Sequence, residues 1–307
     1  MRFSSSKPTA SLAASVENFW LYEGYEGEHA NERILPTGTI ELVINLRENE
    51  LRIYDAEDTD RCSRFSGAVL SGAYGKGFVS DSQEEAFIMG VHFKPGGAFP
   101  FLGLPADELA DSHVDLETLW GYSASLLRER LCEAATPAHR FEILQESLID
   151  HLFRPIEQHY AVSHALDAMY GSVDVSVKEI AKDVGLSQRR FAELFKREVG
   201  MTPKLFSRIQ RFQRARGTIH LQDDSPDWAG IAVECGYFDQ SHLIREFLEF
   251  SGFTPAAYFL QYSRFREEHK HIKSYHFPVT SKAGQFYPIQ KVSSDDIVAL
   301  GGNYVCK

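Results

Sequence analysis

The strongest constraint on this chain is a structural phrase written twice between residues 176 and 258. The first copy runs Ile180-Ala181, Gly185, a stretch from Ser187 to Val199, then Gly200-Met201-Thr202-Pro203. The second runs Ile231-Ala232, Gly236, a stretch from Asp239 to Ser251, then Gly252-Phe253-Thr254-Pro255. The offset is about 51 residues as far as the glycine and about 52 beyond it, because the second turn holds one extra residue. Two copies at so long a period mean a duplicated small unit, since a solenoid needs three or more. In the first copy Val177, Ile180, Ala181 and Val184 share one helical face. Gly185 fits the left-handed residue that ends a helix, and Ser187 is a natural cap for the next one. That next helix turns Phe191, Leu194, Phe195 and Val199 inward and stops at Gly200 before Pro203. The second copy repeats the pattern with Trp228, Ile231 and Ala232, the cap Asp239, and inward Leu243, Phe247 and Phe250. Helix, glycine turn and capped second helix make a helix-turn-helix unit.

The stretch from Trp228 to Tyr258, with its Gly-Tyr-Phe-Asp-Gln-Ser-His-Leu core and Gly252-Phe-Thr-Pro255 ending, closely resembles the C-terminal signature of the AraC/XylS transcriptional regulators. The resemblance covers roughly residues 160–265. It implies about seven helices, with two helix-turn-helix units joined by a longer helix and set on double-stranded DNA. Here the joining helix would be Lys204 to about Ile219, burying Phe206, Ile209 and Phe212. At 1.5 Å per residue it is roughly 24 Å long. Such a rod can set two recognition helices into major-groove segments about 34 Å apart. The residues opposite the buried stripes are then the base readers: Gln188, Arg189, Ala192 and Glu193, and in the second copy Gln240, Ser241, Ile244 and Arg245. Arginine can donate bidentately to guanine, glutamine can read adenine, and glutamate can accept from cytosine. Ser187, Arg190, Lys196, Arg197 and His242 are expected on phosphate, which positions the protein without reading sequence.

A formal net charge of −11 argues at first against a nucleic-acid partner. The charge is unevenly spread, however. Between Leu186 and Gly217 nine basic residues (Arg189, Arg190, Lys196, Arg197, Lys204, Arg208, Arg211, Arg214, Arg216) face only Glu193 and Glu198, while most acidic residues precede residue 155. A local excess of this kind is expected of a phosphate-contacting surface.

The remainder reads as α+β. Residues 1–15 look like a flexible leader. Phe19–Tyr22, Thr39–Leu46, Leu51–Tyr54, Phe78–Val79 and Phe87–Phe93 read as short strands of an antiparallel, barrel-like sheet. After Pro105 the period changes to helical over Leu116–Trp120, Tyr122–Ala134 and Pro137–Leu152. Arg154-Pro155 is the domain boundary this predicts, giving a sensor or dimerisation domain at 1–154, an all-α DNA-binding domain at 155–266 with units about 176–199 and 228–251, and a tail of undecided structure at 267–307. Ile34-Leu-Pro-Thr-Gly38 and Gly90-Val-His-Phe-Lys-Pro-Gly-Gly97 are similar to N-terminal halves of some AraC/XylS members. On the Thr39–Leu46 strand, Glu41 and Asn45 flank Val43 on one face. If that face lines the barrel, the two would orient a ligand bearing a cationic or hydroxyl group; if it faces water, they are solvated residues of a half-buried strand. A homodimer would form through the Leu127/Leu131 and Leu144/Leu148 stripes.

Catalytic chemistry is not legible. No Gly-x-Ser-x-Gly, Walker or Gly-x-Gly-x-x-Gly sequence occurs, and the one His-x-His is His269-Lys270-His271, in the charged tail. His92 reads as a packed or hydrogen-bonded strand residue. Neither metal nor cofactor is expected. Cys62, Cys132, Cys235 and Cys306 are scattered and expected to be reduced. A DNA-repair enzyme carrying the same DNA-binding domain is the alternative, but it needs an activated cysteine in a Pro-Cys-like context, and Cys62 lies between Arg61 and Ser63. With no run of 18 apolar residues and no signal-peptide core, a cytoplasmic protein without a membrane partner is expected. Double-stranded DNA is the implied partner, with RNA polymerase and a small-molecule effector as further candidates. The regulated genes, and whether they are activated or repressed, stay open.

Overall fold

The structure, a computed structural model, describes residues 2–25, 31–55, 61–81, 86–173, 175–222, 225–268 and 276–278. The N-terminal part is made of antiparallel strands β1 (Arg2–Ser6), β2 (Val16–Tyr25), β3 (Asn31–Ile34), β4 (Glu41–Asn45), β5 (Leu51–Tyr54), β6 (Cys62–Phe65), β7 (Ala68–Ser71), β8 (Phe78–Asp81), β9 (Ala86–Phe93) and β10 (His113–Asp115). One sheet has the order β1-β2-β9-β4-β7-β10, and a second has β3-β8-β5-β6 with β11 (His276–Pro278) beside β3. The helices α1 (Leu116–Trp120), α2 (Tyr122–Glu133) and α3 (Pro137–Asp150) follow.

Strand alternation decides which layer packs where. On the larger sheet Phe19, Leu21, Leu42, Ile44, Met89 and Val91 are fully buried and belong to the same core as Leu127 and Leu131 of α2 and Leu144 and Leu148 of α3. Arg128 Nε donates to the carbonyl of Asn45 at the same junction. The alternate residues Trp20, Tyr22, Glu41 and His92 look the other way, towards the second sheet. The leucine stripes of α2 and α3 therefore cover the sheet and present no dimer surface, which corrects the expectation drawn from their periodicity. The leader is corrected too. Residues 2–6 pair with 19–23 of β2, and Leu12 is wholly buried.

The C-terminal part is all helix: α4 (Tyr160–Gly171), α5 (Val177–Asp183), α6 (Gln188–Val199), α7 (Pro203–His220), α8 (Trp228–Glu234), α9 (Gln240–Ser251) and α10 (Pro255–Glu268). These are the seven helices the resemblance implies. The duplication is visible in the backbone, since Gly185 and Gly236 have φ of +69° and +78°, and Gly200 and Gly252 have +91° and +77°. Glycine adopts such angles without the strain a Cβ brings. The caps repeat as well. Ser187 Oγ accepts from Arg190 N at 3.2 Å and Asp239 Oδ1 from His242 N at 2.7 Å, while Thr202 and Thr254 cap α7 and α10 in the same manner. Most of the tail whose structure the sequence leaves undecided, with His269-Lys270-His271 and Cys306, lies outside the described residues. Cys62, Cys132 and Cys235 are free thiols. Among the described residues no helix is long and apolar enough to cross a membrane.

Candidate nucleic-acid interface

Helix α7 is the spine on which both recognition helices are mounted. Its first half sets Phe206 edge-on to Phe195 of α6 (5.6 Å between ring centroids), and its second half sets Phe212 edge-on to Phe247 of α9 (4.9 Å). All four rings are fully buried. Edge-to-face pairs add roughly 0.5–1.5 kcal/mol each to what burial supplies. With 18 residues, α7 spans about 27 Å.

The polar faces of the two recognition helices differ. On α6, Gln188, Arg189, Arg190 and Glu193 are exposed and Ala192 is half-buried. Arg189 Nε donates to Glu193 Oε1 at 3.0 Å, and Arg190 lies 3.7 Å from the other oxygen. That hydrogen bond from Arg189, with the two nearby guanidinium charges, holds the Glu193 carboxyl below its usual range. Further along α6 the surroundings change. Lys196 Nζ pairs with Asp107 at 3.4 Å and the Arg197 guanidinium lies 5.6 Å from the Phe99 ring centre, both partners belonging to the N-terminal part. The two cations expected on phosphate thus meet the N-terminal domain in this arrangement, with Lys196 half-buried and Arg197 still exposed. Ser187 spends its hydroxyl on the helix cap.

On α9, Ser241 and Arg245 are exposed, and Gln240 and Ile244 are half-buried. His242 is tied down. Its Nδ1 accepts from Phe238 N at 3.3 Å and its Nε2 lies 3.6 Å from Glu246 Oε1. Glu246 is buried, with Arg208 Nε at 2.7 Å and Arg211 Nε at 3.3 Å, and Arg208 also reaches Glu249 at 2.6 Å. Arg214 donates to the carbonyls of Met169 and Tyr170, closing the C-terminus of α4, and Arg216 is buried. The basic excess seen in the sequence is therefore only partly a surface feature. Arg208, Arg211, Arg214 and Arg216 are taken up inside the helical domain, leaving Arg189 and Arg190 exposed at the front of α6, Arg197 exposed at its end and Lys204 exposed at the start of α7.

A second candidate site lies between the two sheets. A cavity of about 90 Å³ is lined by aromatic Phe3, Trp20, Tyr22, Tyr74 and Phe78 together with Glu41 and His92. Trp20 Nε1 donates to Glu41 Oε1 at 3.1 Å, and His92 Nδ1 lies 3.2 Å from the same oxygen. Trp20 is opposite Gly90, where any Cβ would meet the indole ring at 2.5 Å. Glu41 faces inward as one of the two sequence readings expects. Asn45 does not join it: its Oδ1 accepts from Arg47 N and Glu48 N, and its Nδ2 donates to the carbonyl of Glu50, so it builds the turn after β4. Trp20 and His92 as partners of Glu41 are missed by the sequence, because cross-strand neighbours leave no local spacing. Among the described residues no group of three or more His, Cys, Asp and Glu is placed to hold a metal ion.

One wall of this cavity also touches α7. Leu35, Pro36 and Thr37 line the cavity, while the carbonyls of Pro36 and Thr37 accept from Gln213 Nε2 (2.6 Å) and Gln210 Nε2 (3.1 Å). Gly38, at φ +79°, lies where a Cβ would come within 2.9 Å of the Phe206 ring. The segment is a shared part of the cavity and of the spine's surface.

Two families match separate parts of the chain. The family described as a helix-turn-helix domain matches residues 159–261, and a family described as a domain of unknown function matches residues 4–115. None of the curated proteins matches the chain. Similar solved structures include an apo ToxT variant from Vibrio cholerae, 11% identical over 83% of this chain and 99% of its own, with a TM-score of 0.44. ToxT from the same organism with an unsaturated fatty acid bound is 9% identical over 85% of this chain and 97% of its own, with a TM-score of 0.43. The DNA-binding domain of AdpA in complex with a target DNA is 22% identical over 36% of this chain and 98% of its own, with a TM-score of 0.32.

Proposed function

We propose that this chain, whose residues 159–261 match a helix-turn-helix domain, is a sequence-specific, double-stranded-DNA-binding transcriptional regulator of the AraC/XylS type and not an enzyme. The observation that carries the reading is the duplicated unit itself, two capped recognition helices on one aromatic spine. In this reading α6 enters one major-groove segment with Gln188, Arg189, Ala192 and Glu193, and α9 enters the next with Gln240, Ser241, Ile244 and Arg245. Arg190 contacts phosphate. Arg197, exposed beside Phe99, can join it there, and Lys196 joins it where Asp107 gives it up. Residues 1–154 act as the sensor: a small molecule with a cationic or hydroxyl group fits the cavity against Glu41, and the 35–38 segment passes its presence to α7. The pre-bonded state of Glu41 supports this, because two donors already hold the carboxylate at a fixed place in an aromatic enclosure.

The test is retention of duplexes from a pool of genomic fragments at low salt, where phosphate contacts are strongest. A common sequence in the retained set is expected, and retention of none removes the reading. For the sensor, a compound that binds the folded chain raises its melting point with concentration. Glu41→Gln should abolish that rise, and a rise that survives unchanged excludes this cavity.

A further inference from the structure

The two helix-turn-helix copies differ by one residue, and the extra one lies in the second turn. The first turn is Gly185-Leu186-Ser187 and the second is Gly236-Tyr237-Phe238-Asp239. The two aromatic residues of the longer turn have opposite fates. Tyr237 is 4% exposed, lies edge-on to His242 and sits beneath the Arg211 guanidinium. It does the packing that the turn needs. Phe238 is 89% exposed, more than any other large hydrophobic side chain among the described residues. Its amide is held by His242 Nδ1, one residue before the Asp239 cap, which fixes the ring just ahead of Gln240 and Ser241. A ring in water at the tip of an inserted turn contributes nothing visible to the fold, and a polar residue would serve the turn as well.

Resting on the DNA-binding reading above, we propose that Phe238 is a specificity-determining residue that contacts the 5-methyl group of a thymine at the edge of the second half-site. The chemistry suits the place. In the major groove the thymine methyl is the one apolar mark among donors and acceptors, and phenylalanine is among the side chains that read it. The polar residues beside Phe238 (Gln240, Ser241, Arg245) read hydrogen-bonding edges, so an apolar contact adds information they cannot supply. The first unit, lacking the extra residue, has no equivalent, and the two half-sites should differ in this respect.

The test uses the full chain and a duplex selected by it, with thymines of the second half-site replaced one at a time by uracil, which removes only the methyl. Wild type is expected to lose about fourfold in affinity at one such position, the worth of one buried methyl. Phe238→Ser should bind the thymine duplex more weakly by at least that factor and be indifferent to the uracil replacement. Phe238→Leu, which keeps an apolar contact, should stay sensitive to it. A wild-type chain that binds every uracil duplex as tightly as the parent, or a methyl effect that persists in Phe238→Ser, overturns the proposal. A wild-type chain that retains no duplex at all overturns the DNA-binding reading instead.

Discussion

Arg189 illustrates how much a single side chain can be asked to do. It is 91% exposed at the front of α6 and, among the described residues, bonded to Glu193, so DNA can exchange that partner for a guanine edge. Arg189→Ala should cost about 1–3 kcal/mol on the preferred site and relax preference at one base pair, as read by competition binding. Equal loss on all duplexes would place it on the backbone instead. Arg190→Ala should behave in that second way, lowering the slope of log K against log salt by about one while leaving preference intact. A different residue sets the response to acid. His113 on β10 is stacked on Tyr74, edge-on to Phe78 and bonded to Ser71, and burial pushes its pKa down to about 3. A base depressed in the folded state lets the unfolded chain take up protons first. The associated stability is therefore complete above about pH 6.5 and lost as pH falls from there towards 3, at roughly 1.4 kcal/mol per pH unit. His113→Gln should flatten that part of the melting profile between pH 6.5 and 4.5, and a profile as steep as wild type would sink the assignment.

Among the elements, α7 and α9 carry the sharpest expectation. Glu246 is buried against Arg208 and Arg211, so removing it leaves two partly buried cations facing each other. Glu246→Ala should destabilise the helical domain by about 3 kcal/mol in chemical denaturation. The helical elements were legible because periodicity, caps and glycines are local: α6 and α9 stand within a residue of their expected bounds. The strands β1, β3, β6, β7 and β10 were not, since Arg2–Ser6 and Cys62–Phe65 are polar edge segments made into strands by partners far along the chain. The same locality limited the charge argument. Arg208 and Arg211 look like phosphate cations in sequence, and only the fold brings Glu246 between them. The contrast between Glu41 and Asn45 has this origin too, for alternation puts both on one face while the β4–β5 turn claims one of them.

At the scale of the whole molecule, the N-terminal domain and the spine meet through Gly38, Phe206, Gln210 and Gln213, and the C-terminal half of α6 rests on Asp107 and Phe99. Gly38→Ala combines a left-handed backbone with a ring already in contact. It should lower stability by about 1–3 kcal/mol and alter DNA affinity together with it. The central claim is that two recognition helices on one rod read two successive major-groove segments. Methylation protection of guanine N7 on a selected site tests this most directly. Two protected segments about 34 Å apart along the duplex are expected, with Arg189→Ala exposing guanine in the first alone and Arg245→Ala in the second alone. One continuous or single protected segment, or the same guanines exposed by both variants, would contradict it.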